Sequence, residues 1–266
     1  MTVTVERNGP VTTVIHSRPE ARNAMDPESA AALVDAFLAF DRDLDASVAV
    51  FWGAGGAFCA GWDLKYASQL VGVDRPLKDL DFPDGDAPIP RGPMGPSRLE
   101  LSKPVIAAVA GPAVAGGFEL ALWCDLRVME EDAYFGVYCR RWGIPLIDGG
   151  TVRLPRLVGE GRALDIILTG RKVEAEEAHR IGLCERIAPK HRSRDVAEEL
   201  AQEIARFPQG CVRADRRSTR AQHGLPLMQA LKQEWETSVR LVEQEGAPGA
   251  ARFSAGRGRH GDFGSI

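Results

Sequence analysis

Patterned cysteine is missing from this chain. Cys59, Cys124, Cys139, Cys184 and Cys211 fall without any Cys-x-x-Cys spacing, which excludes a disulfide framework or a thiolate zinc site as an organising device. The five histidines, His16, His179, His191, His223 and His260, form neither a His-x3-His pair nor a cluster with cysteine, so no metal is expected. An excess of positive charge is also absent. Lysine and arginine number 33 against 37 acidic residues, a net charge of −4, and without a basic field nucleic acid is not an expected partner. The longest apolar stretch, Pro104 to Phe118, is broken by proline and glycine and bounded by Lys103 and Glu119, which is wrong for a membrane span. The opening ten residues carry no apolar signal-peptide core. With unpaired thiols, this leads us to expect a cytoplasmic protein.

What is present is glycine, 28 residues in 266, much of it at turns between apolar runs. The length suits one α/β domain with a helical appendage, divided here into a core over 1–200 and a helical region over 201–266. Val3 to Glu6 and Val11 to Ile15 flank Asn8-Gly9 and predict a hairpin. Asp26 can cap a helix that begins at Pro27 and presents Ala30, Leu33, Val34, Phe37 and Leu38 on one face. Strand and helix then alternate to about residue 136, which predicts parallel pairing with crossover helices. From 67 to 98 prolines, glycines and aspartates mix, predicting a mobile surface loop that is either an insertion or a lid on the site. Helices dominate beyond Gly149. Pro226 to Glu245 places Leu227, Leu231, Trp235, Val239 and Val242 on one face, either core or interface.

The chemistry concentrates between Ile106 and Leu126. The apolar run Pro104 to Ala110 reads as a buried strand, Gly111-Pro112 breaks it, and Gly116-Gly117 opens a helix with Glu119 in its first turn. Backbone N–H groups at a helix start lack intrahelical partners and favour an anionic oxygen. A glycine there lets a ligand oxygen approach the backbone closely. Upstream, Val48 to Trp52 is a second strand that runs into Gly53-Ala54-Gly55-Gly56 and then Ala57-Phe58-Cys59-Ala60-Gly61-Trp62-Asp63-Leu64-Lys65.

At these two pieces, AF-x-AG-x-DL and G-x-x-x-AGG-x-EL-x-x-x-CD, the chain resembles the crotonase family, the enoyl-CoA hydratase/isomerase superfamily. Arg18 to Asp26 (RPEARNAMD) and Leu168 to Leu183, with its LTGR and EA–GL landmarks, extend the likeness over nearly the whole chain. The resemblance implies a spiral of ββα repeats with a C-terminal helical trimerisation region, and assembly as a homotrimer or a dimer of trimers. It implies an acyl-CoA thioester substrate and no added cofactor, coenzyme A being part of the substrate. The amides of Trp62 and Gly116 would hold the thioester oxygen. Arg22 would meet the coenzyme phosphates, and Ala60, Asp63, Leu64 and Lys65 would curl around the bent coenzyme. The tail Arg252 to His260 resembles a closing segment that reaches a neighbouring subunit's ligand, with disorder as the alternative.

Glu119 is then the candidate base that activates water, against the alternative of a carboxylate bonded only to nearby backbone. Where typical hydratases carry a second glutamate, this chain has Cys139, whose thiol is a poor acid near neutral pH. Asp148, three residues before Thr151, stands where dienoyl-CoA isomerases of the superfamily carry an aspartate. It is either a second catalytic carboxyl, a helix cap, or a partner of Arg140, Arg141 or Arg153. Arg140-Arg141 could pair with either carboxylate, meet a polar acyl group, or simply be solvated. The implied activity is hydration of a 2-enoyl-CoA, with enoyl- or dienoyl-CoA isomerisation and catalytically silent acyl-CoA binding as alternatives.

Overall fold

A computed structural model describes residues 2–258. Strands β1 (Val3–Asn8) and β2 (Val11–His16) pair antiparallel, with Asn8 opposite Val11, which is the predicted hairpin. Helix α1 (Pro27–Arg42) starts where Asp26 accepts a hydrogen bond from the Ser29 amide at 2.8 Å, with Pro27 in the first position, as expected. Its inner face holds Ala30, Leu33 and Phe37, but also Phe40, while Val34 and Leu38 are half-buried flanks. The predicted stripe is thus rotated by a fraction of a turn toward Phe40.

The chain continues through β3 (Val48–Gly53), α2 (Leu64–Ser68), β4 (Val105–Val109), β5 (Pro112–Val114), α3 (Gly116–Trp123), β6 (Leu126–Glu130) and β7 (Tyr134–Gly136). It closes with α4 (Gly150–Val158), α5 (Glu160–Thr169), β8 (Lys172–Glu174), α6 (Ala175–Arg180), β9 (Arg186–Ala188), α7 (Ser193–Ala205), α8 (Gln209–Ala221), α9 (Leu227–Leu241) and α10 (Ala247–Ser254). The main sheet has the order β1-β2-β3-β4-β6-β9, parallel everywhere except at β1–β2. A small sheet, β5-β7-β8, stands beside it.

Both faces of the main sheet are covered, which explains why its central strands are apolar at every position rather than alternating. Ala49 and Phe51 of β3 and Ala107 and Val109 of β4 point into the larger core with α1 and α3. Their alternates Val48, Val50, Ile106 and Ala108 pack beneath Ala197, Leu200 and Ala201 of α7. The turns at the carboxyl ends of β3 and β4 therefore rest on a rigid two-sided layer. In open α/β sheets that edge is where ligands bind.

The stretch 67–98 departs from a simple surface loop. Its first half is largely exposed, but Gly92 to Ser97 is buried, carried down beside α1 and α3. On α9 the apolar stripe is largely uncovered in the single chain, with Leu227 and Trp235 at 73% and 66% exposure.

Candidate active site

The motif 18–26 serves as a bracket for the turn after β3. Asn23 donates through Nδ2 to the carbonyls of Ala54 (2.8 Å) and Ala57 (2.7 Å), while its Oδ1 accepts from the Arg18 amide (2.7 Å). The Met25 amide donates to Gly61 O, and Met25 O accepts from the Asp63 amide. The Arg18 guanidinium bridges Asp26 (3.2 Å) and Asp63 (3.0 Å). Asp63 also caps α2 by accepting from the amides of Lys65 and Tyr66. Its side chain is therefore engaged within the fold, and what the 60–65 segment offers a ligand is mainly backbone.

Two turns then meet. Gly61 sits at φ +94°, and a Cβ there would stand 2.8 Å from the Ala115 Cβ and 3.2 Å from the Gly116 nitrogen, so only glycine allows the approach. Ala115, just before α3, is held at φ +53°, a conformation that costs a residue with a Cβ about 1–3 kcal/mol and persists only when its surroundings enforce it. Among the described residues, neither the Trp62 amide nor the Gly116 amide donates a hydrogen bond to the protein. Both residues line the same cavity.

Glu119, one turn into α3, is 2% exposed. Its Oε1 accepts from the amides of Asp148 (2.9 Å) and Gly150 (2.8 Å), so the other oxygen is left for the cavity. Burial first, then the charge of Asp148, push its pKa up to about 7, against the downward pull of the two amides. Asp148 is itself 4% exposed. Its Oδ1 accepts from the Met94 amide at 3.0 Å and from the Ser97 hydroxyl. Burial raises its pKa above the ordinary carboxylate value even though these donors oppose it. The helix-cap and ion-pair readings of Asp148 do not hold. Gly149 is the cap of α4, and Arg153 donates to the main-chain carbonyls of Asp148 (2.8 Å) and Ser97 (2.7 Å). Arg140 donates to Ile167 O and Arg141 lies 4.3 Å over the Tyr138 ring, so neither serves a carboxylate.

The cavity encloses about 560 Å³ counting its open mouth, and brings Ala60, Trp62, Leu64, Gly116, Glu119 and Asp148 together with Cys139. Arg22, Asp63 and Lys65 do not line it. Arg22 is exposed on the outer side, with its carbonyl accepting from the Ala60 amide. Sequence reasoning missed Met94 and Ser97, which hold Asp148, and the apolar wall of Tyr138, Trp142, Ile144 and Ile147. A signal existed for the first pair: Gly92-Pro-Met-Gly-Pro96 is apolar at the end of an aspartate-rich stretch. Among the described residues no group of three or more His, Cys, Asp or Glu could hold a metal ion, and no helix is long and apolar enough to cross a membrane.

Two unshared amides and a buried carboxyl thus face one apolar cavity. The chain belongs to the enoyl-CoA hydratase/isomerase family, whose model matches residues 6–83 and 94–255. It is 36% identical over 258 residues to enoyl-CoA hydratase EchA19 of Mycobacterium tuberculosis, covering 94% of this chain and 92% of that one. It is 39% identical over 216 residues to a carnitinyl-CoA dehydratase of Salmonella arizonae, covering 80% and 78%. Among solved structures, enoyl-CoA hydratase EchA1 of Mycobacterium marinum superposes with a TM-score of 0.85 at 31% identity, over 96% of both chains. The crotonase fold expected from the sequence is thereby established.

Proposed function

We propose that this protein is an enoyl-CoA hydratase, adding water reversibly to a trans-2-enoyl-CoA to give a 3-hydroxyacyl-CoA. The observation that carries the reading is the unshared oxygen of Glu119 in the same cavity as the free amides of Trp62 and Gly116. The two amides accept the thioester oxygen and draw electron density from the β-carbon. Glu119 takes a proton from water as the hydroxyl adds there, and the enolate charge rests on the amides. Each such donor lowers the barrier by about 2.7–4 kcal/mol. Asp148, buried and above its ordinary pKa, is the second carboxyl, returning a proton to the α-carbon in place of the acid that Cys139 cannot supply.

Arg22 meets the coenzyme phosphates while the backbone of Ala60, Asp63, Leu64 and Lys65 surrounds the coenzyme. Residues 1–200 form the acyl-CoA core, and 201–266 are the helical region that assembles a homotrimer or a dimer of trimers. The exposed stripe of α9 supports that assembly. Arg259 and His260 of the tail lie outside the described residues. We assign the protein to the cytoplasm, in keeping with its five unpaired cysteines.

The test is to incubate the protein and its Glu119→Gln variant with short, medium and long trans-2-enoyl-CoAs in H2(18)O and follow product mass. Glu119-dependent incorporation of one labelled oxygen is the expected result. Migration of the double bond without label identifies an isomerase using the same carboxyl pair, and binding without turnover of any thioester overturns catalysis.

A further inference from the structure

Asp148 lines the cavity but is gripped by one oxygen alone. Its Oδ1 accepts from the Met94 amide at 3.0 Å and from the Ser97 hydroxyl, while among the described residues no hydrogen bond reaches Oδ2. Ser97 is built into that place. It is 2% exposed, and among the described residues its hydroxyl has no other partner. The turn before it closes by paired backbone hydrogen bonds between Gly92 and Gly95, at 3.0 and 2.9 Å. A Cβ on Gly92 would stand 2.6 Å from Asp148 Oδ1 and nearer still to Ser97 Oγ, so hydroxyl and carboxyl can meet only because residue 92 is glycine. Arg153 completes the unit by donating to the main-chain carbonyls of both partners, Ser97 at 2.7 Å and Asp148 at 2.8 Å.

We propose that Ser97 is a positioning residue for proton delivery, its hydroxyl holding Asp148 so that the acidic proton sits on Oδ2 and is presented to the α-carbon. This rests on Asp148 as the second carboxyl of the hydratase reading. An oxygen that already receives two donor hydrogens is a poor place for a third, so protonation falls on Oδ2. In the step, the Oδ2–H bond breaks and leaves its electron pair on Asp148. The enolate C=C pair forms the new Cα–H bond, and the thioester carbonyl re-forms as the negative charge passes from its oxygen to the carboxylate. The Met94 and Ser97 donors then face a charged acceptor, to which hydrogen bonds are stronger. Their hold tightens as the proton leaves, which lowers the barrier instead of merely improving binding. Exchange with solvent resets both carboxyls. The Met94 donor is a backbone amide, so Ser97 is the one of the two that a side-chain substitution removes.

The experiment measures hydration of trans-2-butenoyl-CoA by the full chain and by Ser97→Ala, Ser97→Thr, Asp148→Asn and the Ser97→Ala/Asp148→Asn pair. Butyryl-CoA calorimetry reports binding, and thermal melts report folding. Ser97→Ala is expected to lower kcat about 10–10²-fold, the worth of one hydrogen bond to a charged group, with KM and butyryl-CoA affinity near those of the unaltered protein. The solvent deuterium isotope effect on kcat rises, because proton delivery to the α-carbon becomes the slow step. Ser97→Thr keeps the hydroxyl and restores most of the rate. In the Asp148→Asn background, Ser97→Ala costs nothing further, since it acts through a proton that is no longer there. Full kcat in Ser97→Ala overturns the inference and leaves the hydratase reading standing. An equal loss in both backgrounds, or an unchanged isotope effect, overturns it by showing that Ser97 serves the fold alone. Full activity in Asp148→Asn removes the second carboxyl and this inference while sparing the hydratase reading, and no hydration by the unaltered protein overturns all three.

Discussion

Replacing Glu119 by glutamine is expected to stabilise the fold, increasingly as pH rises. The carboxyl has an ordinary value of 4.5 and titrates at about 7 in the folded chain. Below pH 4.5 it is protonated in both states and contributes no difference. Between 4.5 and 7 the unfolded chain loses the proton while the folded chain keeps it, so stability falls with pH; above 7 both are ionised and the loss is constant. The raised value therefore costs about 1 kcal/mol at pH 5 and about 3 kcal/mol at pH 8, at 1.36 kcal/mol per pKa unit. Glutamine retains an oxygen for the Asp148 and Gly150 amides, so the variant removes the ionisation while keeping the bonds that order the 148–150 turn. Urea unfolding at pH 5 and pH 8, on both proteins, gives the comparison. A stability difference that does not grow by roughly 2 kcal/mol between the two pH values refutes the assignment of Glu119 as a carboxyl strained by burial.

The same titration predicts that hydration by the wild type rises with pH through an apparent pKa near 7, as a base must be deprotonated to act; a rate that falls across that range excludes the base role. Asp148→Asn is expected to lower kcat about 10²–10⁴-fold with saturated acyl-CoA affinity preserved, because Asn still accepts from Met94 and Ser97 but cannot give up a proton; steady-state kinetics and calorimetric binding separate the two effects. Arg18→Met leaves Asp26 and Asp63 without their shared cation and is expected to cost about 2 kcal/mol in chemical denaturation, together with weaker acyl-CoA binding through the Trp62 turn. At position 115, held at φ +53°, glycine is expected to be tolerated within about 1 kcal/mol while valine costs more than about 2 kcal/mol; thermal melts ranking the two equally would remove the claim of backbone strain.

Local chemistry made much of the site legible before any coordinates. Gly116-Gly117 and Glu119 are neighbours in sequence, and their meaning depends on a strand-to-helix turn that apolar patterning reveals. Asp26 and Pro27 announce α1 in the same way. Ser97 and Met94 were not legible as partners of Asp148, because they reach it across 51 and 54 residues of chain from a stretch without periodicity. Asp63 shows the opposite difficulty. Its motif position was evident, but its side-chain bonds to Arg18 and the start of α2 depend on how the 18–26 bracket folds under the turn. The α1 stripe missed Phe40 because which edge of an amphipathic face is covered depends on the neighbouring strands rather than on the helix.

The main sheet grows almost in chain order, β1 to β4 and then β6 and β9, so a chain emerging from the ribosome can add strands to one advancing edge. The layer beneath it does not follow that order. Val48, Val50, Ile106, Ala108 and Val128 have no cover on their side until α7, residues 193–205, is made. A nascent or truncated chain ending before that helix carries a bare apolar sheet face, an aggregation hazard until those thirteen residues arrive.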